Sequence, residues 1–211
     1  MKEPDNTHPH RDKPDTRLRI LQAALDEFTE FGLSGARVDR IAVAAGVNKA
    51  MLYYYFASKE NLYRQAIQDF VGSKVKSVHQ CLTEAGSLEE GLALVAEMYA
   101  DLFLNYPERV RLFARELADP NSQIVQGFIA TATATGLPDQ VRKTFAAGIA
   151  AGELREVDIP QAFASFITMN IGYFLMSPII DRVWKIEDRH RFVEERKRAV
   201  VDLFLHGVKS R

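Results

Sequence analysis

Val38 to Tyr63 reads VDRIAVAAGVNKAMLYYYFASKENLY, and the spacing of its apolar residues decides the fold. Val38, Ile41, Ala42 and Ala45 fall at i, i+3, i+4 and i+7, which puts them on one face of a helix. Gly46 can take the left-handed backbone conformation that ends a helix without a Cβ clash. Val47 then tucks back as an apolar plug, and Asn48 supplies a side-chain oxygen to cap the next helix. That helix, Lys49 to Phe56, buries Leu52 and Phe56 four residues apart. Lys49, Ala50, Met51, Tyr54 and Tyr55 are left on its other faces. A short helix with a lysine at its start and phenols along its side has the shape and donors to enter a DNA major groove.

Working outward, Thr16 is expected to cap a first helix running to Phe31, with Ile20, Ala24, Phe28 and Phe31 as its core stripe and Gly32 closing it. Ser58 caps a fourth helix in which Leu62 begins an apolar series through Ala66, Ile67, Phe70 and Val71. The helical period then continues. Ser87 and Pro107 open two helices, residues 121–135 form an apolar segment broken at Gly136, and residues 139–151 form another helix. Pro160 opens the most apolar helix, and Asp188 caps the last. No period-2 alternation bounded by turn signals occurs, so no sheet is expected. The expected fold is all-α. It comprises a three-helix helix-turn-helix head over residues 16–63 and a larger helical ligand-binding and dimerisation domain over residues 64–211, with nine or ten helices in total. Residues 1–15, with Pro4, Pro9 and Pro14 among charges and histidines, are expected to be a disordered arm. Arg11, Lys13, Arg17 and Arg19 could brush the DNA backbone from there.

Composition narrows the function. The formal net charge is −1, which argues against a surface coated in basic charge. Its distribution is uneven: between residues 33 and 64 stand five basic residues (Arg37, Arg40, Lys49, Lys59, Arg64) and two acidic ones (Asp39, Glu60). A locally basic head on a mildly acidic body fits local attraction to phosphates. The single cysteine, Cys81, excludes an intramolecular disulfide and fits a reducing cytoplasm. The N-terminus has no apolar run, so it is not read as a signal peptide. The longest apolar stretch, around Phe163 to Ile180, is interrupted by Ser165, Thr168, Asn170 and Ser177, and a membrane span is rejected. His8, His10, His79, His190 and His206 are scattered. No catalytic set, phosphate loop or metal-ligand cluster stands out, so neither an enzyme nor a metal or other cofactor is expected.

The residues Gly32, Val38, Ile41-Ala42, Ala45-Gly46-Val47, Leu52-Tyr53, Tyr55-Phe56 and Ser58-Lys59-Glu60 followed by Leu62 resemble the TetR family of bacterial transcriptional regulators in order, spacing and position, over roughly Thr16 to Ile67. The remaining two thirds agrees only in being helical and in length. The resemblance implies that Lys49, Ala50 and Met51 approach base edges. Lys49 can donate to guanine O6 and N7, and Ala50 is small enough to meet a thymine methyl. It further implies phosphate contacts from Tyr54, with Tyr53 and Tyr55, and from Lys59 at a helix start. Arg37 departs from the family, which places a Ser or Thr cap there. Either the cap is lost or Arg37 contributes a phosphate contact, and the contact is the reading adopted.

The body is expected to dimerise and to sense. Phe163, Gly172, Phe174, Phe192, Val200 and Phe204 are assigned to a two-helix dimer face, which would set two recognition helices about 34–36 Å apart on an inverted-repeat operator. Tyr99, Phe103, Tyr106, Phe113, Phe128, Phe145, Phe166 and Tyr173 are assigned to a pocket for a small, largely apolar effector. The expectation is a cytoplasmic, ligand-responsive repressor that binds double-stranded DNA as a homodimer. The alternatives are an activator without small-molecule control and a helical protein-interaction module.

Overall fold

The computed structural model describes the backbone of residues 13–210 and the side chains of residues 16–210. The expectations for residues 1–12, including His8, His10 and Arg11, and for the Lys13 side chain lie outside these. Among the described residues ten helices follow one another: α1 (Lys13–Gly35), α2 (Val38–Ala44), α3 (Lys49–Phe56), α4 (Lys59–Glu84), α5 (Leu88–Asn105), α6 (Pro107–Leu117), α7 (Gln123–Thr135), α8 (Leu137–Ala150), α9 (Ile159–Val183) and α10 (Arg189–Val208). The only extended pairing among the described residues is one antiparallel bridge between Leu154 and Lys209. The all-α expectation holds.

Two compact units meet between Asp69 and Phe70, inside α4. The first is the head. Ile20, Ala24 and Phe28 of α1, Ile41 of α2, Leu52 and Phe56 of α3, and Leu62 of α4 are sealed from solvent. Each such Leu, Ile or Phe side chain contributes about 1.5–3 kcal/mol on burial. Two sequence expectations change here. Helix α1 starts at Lys13, a turn before Thr16, because Pro14 fits a first helical turn, where its missing N–H costs nothing. Phe31 is not core. Its ring is 42% exposed and lies under the Arg40 guanidinium, 4.1 Å from the ring centroid. Gly32 does end the regular run of α1, with φ 66° and ψ 176°.

The second unit packs α5, α6, α9 and α10 around Ala100, Phe103, Val110, Tyr173, Phe174 and Val193. Side-chain caps fix the starts of four helices. Ser87, Ser122, Asp158 and Asp188 accept from the amides of Glu90, Val125, Gln161 and Arg191. Helix α9 runs past Ile180, where the longest apolar stretch of the sequence ends, because Pro178 is accommodated inside it. The proline lacks the N–H that would reach Phe174 O, and the Ser177 hydroxyl donates to that carbonyl instead, at 3.0 Å. By length and composition α9 could cross a membrane. In the fold, however, its Met169 carbonyl accepts from Arg196 of α10 and its Asn170 is buried.

Candidate nucleic-acid interface and ligand cavity

The head holds α3 by its two ends. After α2, Gly46 takes φ 64°, the Gly46 amide donates to Val43 O at 3.1 Å, and the Val47 amide donates to Ala42 O at 3.0 Å. This is the two-bond glycine terminus that satisfies the last carbonyls of a helix. Val47 is half-buried. Asn48 Oδ1 accepts from the Met51 amide at 2.7 Å and caps α3. At the far end Ala57 alone turns the chain. Its φ of 61° and ψ of −44° are supported by a Ser58 amide to Phe56 carbonyl bond of 2.6 Å, a γ-turn that strains a residue bearing a Cβ. Ser58 Oγ then accepts from the Asn61 amide at 3.1 Å, and Asn61 Nδ2 returns to the Phe56 carbonyl at 2.8 Å.

With Leu52 and Phe56 buried, α3 turns the remaining side chains outward. Lys49, Ala50, Met51, Tyr53 and Tyr54 are exposed, Tyr54 most of all among the tyrosines at 77%. Tyr55 is half-buried and meets the Tyr54 ring edge-on. Lys49 Nζ lies 3.0 Å from Asp39 Oδ1, and the carboxylate holds the ammonium pKa above its ordinary value. Lys59 is half-buried at the start of α4, its Nζ 3.4 Å from the Ser34 carbonyl.

Arg37 occupies the cap position of α2 without a side-chain cap bond, and its side chain is exposed. A residue the sequence reading missed compensates. Glu27 of α1 accepts the Arg37 amide at 2.7 Å and the Arg40 Nε at 2.8 Å. Burial pushes the Glu27 carboxyl up, but these bonds outweigh it and hold its pKa below the ordinary value. The only sequence clue was an acid on the inner edge of the α1 stripe, one residue before Phe28. Arg40 is therefore committed to Glu27 and Phe31. Arg17 and Arg19, considered as part of a DNA-reaching arm, belong to the head as well. Arg17 stands over the Phe56 ring and donates to Gln65, and Arg19 donates to the Ala45 carbonyl.

The second unit contains a cavity of about 250 Å³ bounded by α4, α5, α6, α7, α8 and α9. Of the eight residues assigned to a pocket, Tyr99, Phe103, Phe113 and Phe128 line it. The other four stand elsewhere. Phe145 and Phe166 are fully buried and meet Phe204 edge-on. Tyr173 belongs to the core and donates to Asp181 at 2.9 Å. Tyr106 is exposed beneath the Arg109 guanidinium, 4.2 Å from its ring. The sequence reading missed Phe70, Val71, Lys74, Val75 and Val78, a line along α4 at helical spacing, and the Arg109 side chain.

Of the residues assigned to a dimer face, Phe163 lines the cavity. Phe174, Val200 and Phe204 are buried within this chain, Phe174 stacked on Phe103. Phe192 is half-buried against Tyr173, and Gly172 has open space where a Cβ would stand. On α9 and α10 the large apolar side chains left exposed are Leu175, Met176, Ile179, Val183 and Leu203, with Trp184 just past the end of α9. Sequence periodicity could not separate these from the buried ones, because α9 is apolar around most of its circumference.

The sequence profile of the family described as "Bacterial regulatory proteins, tetR family" matches residues 20–66. The HTH-type transcriptional regulator RutR of Escherichia coli strain K12 is 27% identical over 197 residues, 91% of this chain and 90% of its own. The HTH-type transcriptional repressor NicS of Pseudomonas putida is 31% identical over 101 residues, 48% of each chain. Among solved structures, the transcriptional regulator FadR from Bacillus subtilis, in complex with stearoyl-CoA, superposes with a TM-score of 0.65 at 21% identity, covering 90% of this chain and 98% of that one.

Proposed function

We propose that the chain is a TetR-family transcriptional regulator that acts in the cytoplasm as a repressor, binding an inverted-repeat operator as a homodimer and leaving it when a small, largely apolar effector enters the α4–α9 cavity. The observation that carries this reading is the outward face of α3. Lys49, Ala50 and Met51 stand free of the core at the start of a helix held rigidly by Leu52, Phe56 and caps at both ends. In this role the three residues read base edges, while Arg37, Tyr53, Tyr54, Tyr55 and Lys59 hold phosphates.

Two further features support the fuller reading. The uncovered apolar residues of α9 and α10 suit a second copy of the chain packed about a two-fold axis, the symmetry an inverted repeat requires. Helix α4 carries Lys59 in the DNA-binding unit and Phe70, Val71, Lys74, Val75 and Val78 in the cavity. An effector that favours one position of α4 over another therefore changes operator affinity by that difference in binding free energy. NicS, named as a repressor, and FadR, solved with stearoyl-CoA, are in keeping with repression and with a small-molecule effector.

The test is a mobility shift with purified protein and duplex from upstream of its own gene, followed by footprinting. A symmetric footprint with affinity falling steeply as salt rises is the expected result. A protein that retards no duplex from that region, or all duplexes equally, contradicts the reading. A reporter driven by the footprinted promoter separates repression from activation by the sign of its response.

A further inference from the structure

We infer that the cavity selects an anionic amphiphile, an apolar body of about eight carbons ending in a carboxylate or phosphate headgroup held by Lys74 and Arg109. The inference rests on the effector reading above and gives it a chemistry. Most of the lining is apolar, including Val71, Val75, Val78, Phe103 and Ile167, and its polar members are two cations and one phenol. An uncharged hydrocarbon would make no use of that positive charge, and a cationic ligand would be repelled by it.

Lys74 is the decisive residue. Its side chain is half-buried, and among the described residues no carboxylate lies within ion-pair distance (4.0 Å) of its ammonium. Asp101 attracts it from farther off. Burial lowers its pKa first, and the like charge of Arg109 lowers it further. Both cations reach the same ring, Lys74 Nζ 5.8 Å and Arg109 Cζ 5.6 Å from the Phe70 centroid. Bringing like charges together beside apolar surface is costly, and an anion placed between them relieves the repulsion and gives the Lys74 ammonium a close counter-charge. Tyr99 adds a donor to the lining, because burial pushes its phenol up to about 12 and keeps it protonated at neutral pH. The volume sets the length. A methylene occupies roughly the space of a water, about 30 Å³, so about 250 Å³ takes some eight of them.

The experiment is calorimetric titration of the full chain with decanoate, decyl phosphate, decanol and hexadecanoate, repeated with Lys74→Met. The expected result is that decanoate or decyl phosphate binds at least about tenfold more tightly than decanol, the tighter of the two naming the headgroup. Lys74→Met should cut that preference severalfold, Arg109 keeping the remainder, while still binding decanol, which also shows that the variant is folded. Decanol binding as tightly as both anions, or a preference undiminished in Lys74→Met, overturns the anion site and leaves the effector cavity standing. Hexadecanoate binding more tightly than decanoate overturns the length limit. If no amphiphile binds the wild-type chain, the effector reading of the cavity fails with the inference.

Discussion

Lys49 and Asp39 face each other across the turn between α2 and α3, ammonium to carboxylate at 3.0 Å. The side chain proposed to read a base is thus already engaged in the free head, and on that proposal DNA competes with Asp39 for it. Asp39 is also a negative charge on the face proposed to meet phosphates. Asp39→Asn should tighten binding to duplexes of any sequence by about two- to fivefold at low salt, the scale of an exposed ion pair, and narrow the ratio of operator to random-sequence affinity. Lys49→Ala should instead weaken the operator selectively. Fluorescence-anisotropy titrations on operator and scrambled duplexes read both outcomes.

Lys59 should behave differently from Lys49. It is half-buried at the start of α4 and anchored on the Ser34 carbonyl, and its proposed partner is a phosphate, not a base. Lys59→Ala should weaken all duplexes alike and reduce the salt slope of log affinity by about one. An unchanged slope would remove Lys59 from the interface.

The two turns that bracket α3 predict opposite effects on stability. Ala57 carries a Cβ at φ 61°, so Ala57→Gly should stabilise the chain by about 0.5–1 kcal/mol. Gly46 has φ 64°, and a Cβ placed there would meet nothing within 4 Å. The cost of Gly46→Ala is therefore purely conformational, about 1–2 kcal/mol. Urea denaturation of both variants gives the signs directly.

Glu27 predicts a pH dependence. Its carboxyl pKa is below the ordinary value of 4.5 in the folded head. A group depressed on folding contributes stability that is present above its unfolded pKa and lost as pH falls through the folded one. The head should therefore weaken as pH drops below that ordinary value. Glu27→Gln should be less stable at neutral pH and show a flatter acid limb. Melting temperatures from neutral pH down through the acid limb test this.

The dimer proposal has its own check. Ile179→Glu combined with Leu203→Glu places charges on residues that are exposed in the single chain, so folding should survive. The variant should sediment as a monomer and lose operator binding, whereas Val200→Glu, at a buried position, should unfold the chain.

The head was legible because its signals are local. Gly46 and Asn48 act through neighbours within a turn, Leu52 and Phe56 are marked by their four-residue spacing, and each does what its spacing implied. What escaped was non-local. Glu27 caps α2 from another helix, and nothing in its own neighbourhood announces a bond to an amide ten residues on. In the body, aromatic residues at helical spacing could not be sorted by periodicity. Phe145 and Phe166 fill the core, Phe128 borders the cavity, and only the three-dimensional arrangement separates them. The outward face of α9 was hidden for the same reason, since Phe174 and Leu175 are neighbours in sequence and equally apolar, yet one is buried and the other exposed.

The single-residue turn at Ala57 leaves no slack between α3 and α4. A residue inserted there would rotate Ser58 and Lys59 away from their partners, so the recognition helix cannot drift in length. Its outward positions carry no such burden, because Lys49, Ala50, Met51 and Tyr54 are exposed and contribute no buried side chain to the head core. Operator preference in this head is free to diverge by substitution while the frame holding it is not, and an altered-specificity library belongs at those four positions, with Leu52, Phe56 and Ala57 left as they are.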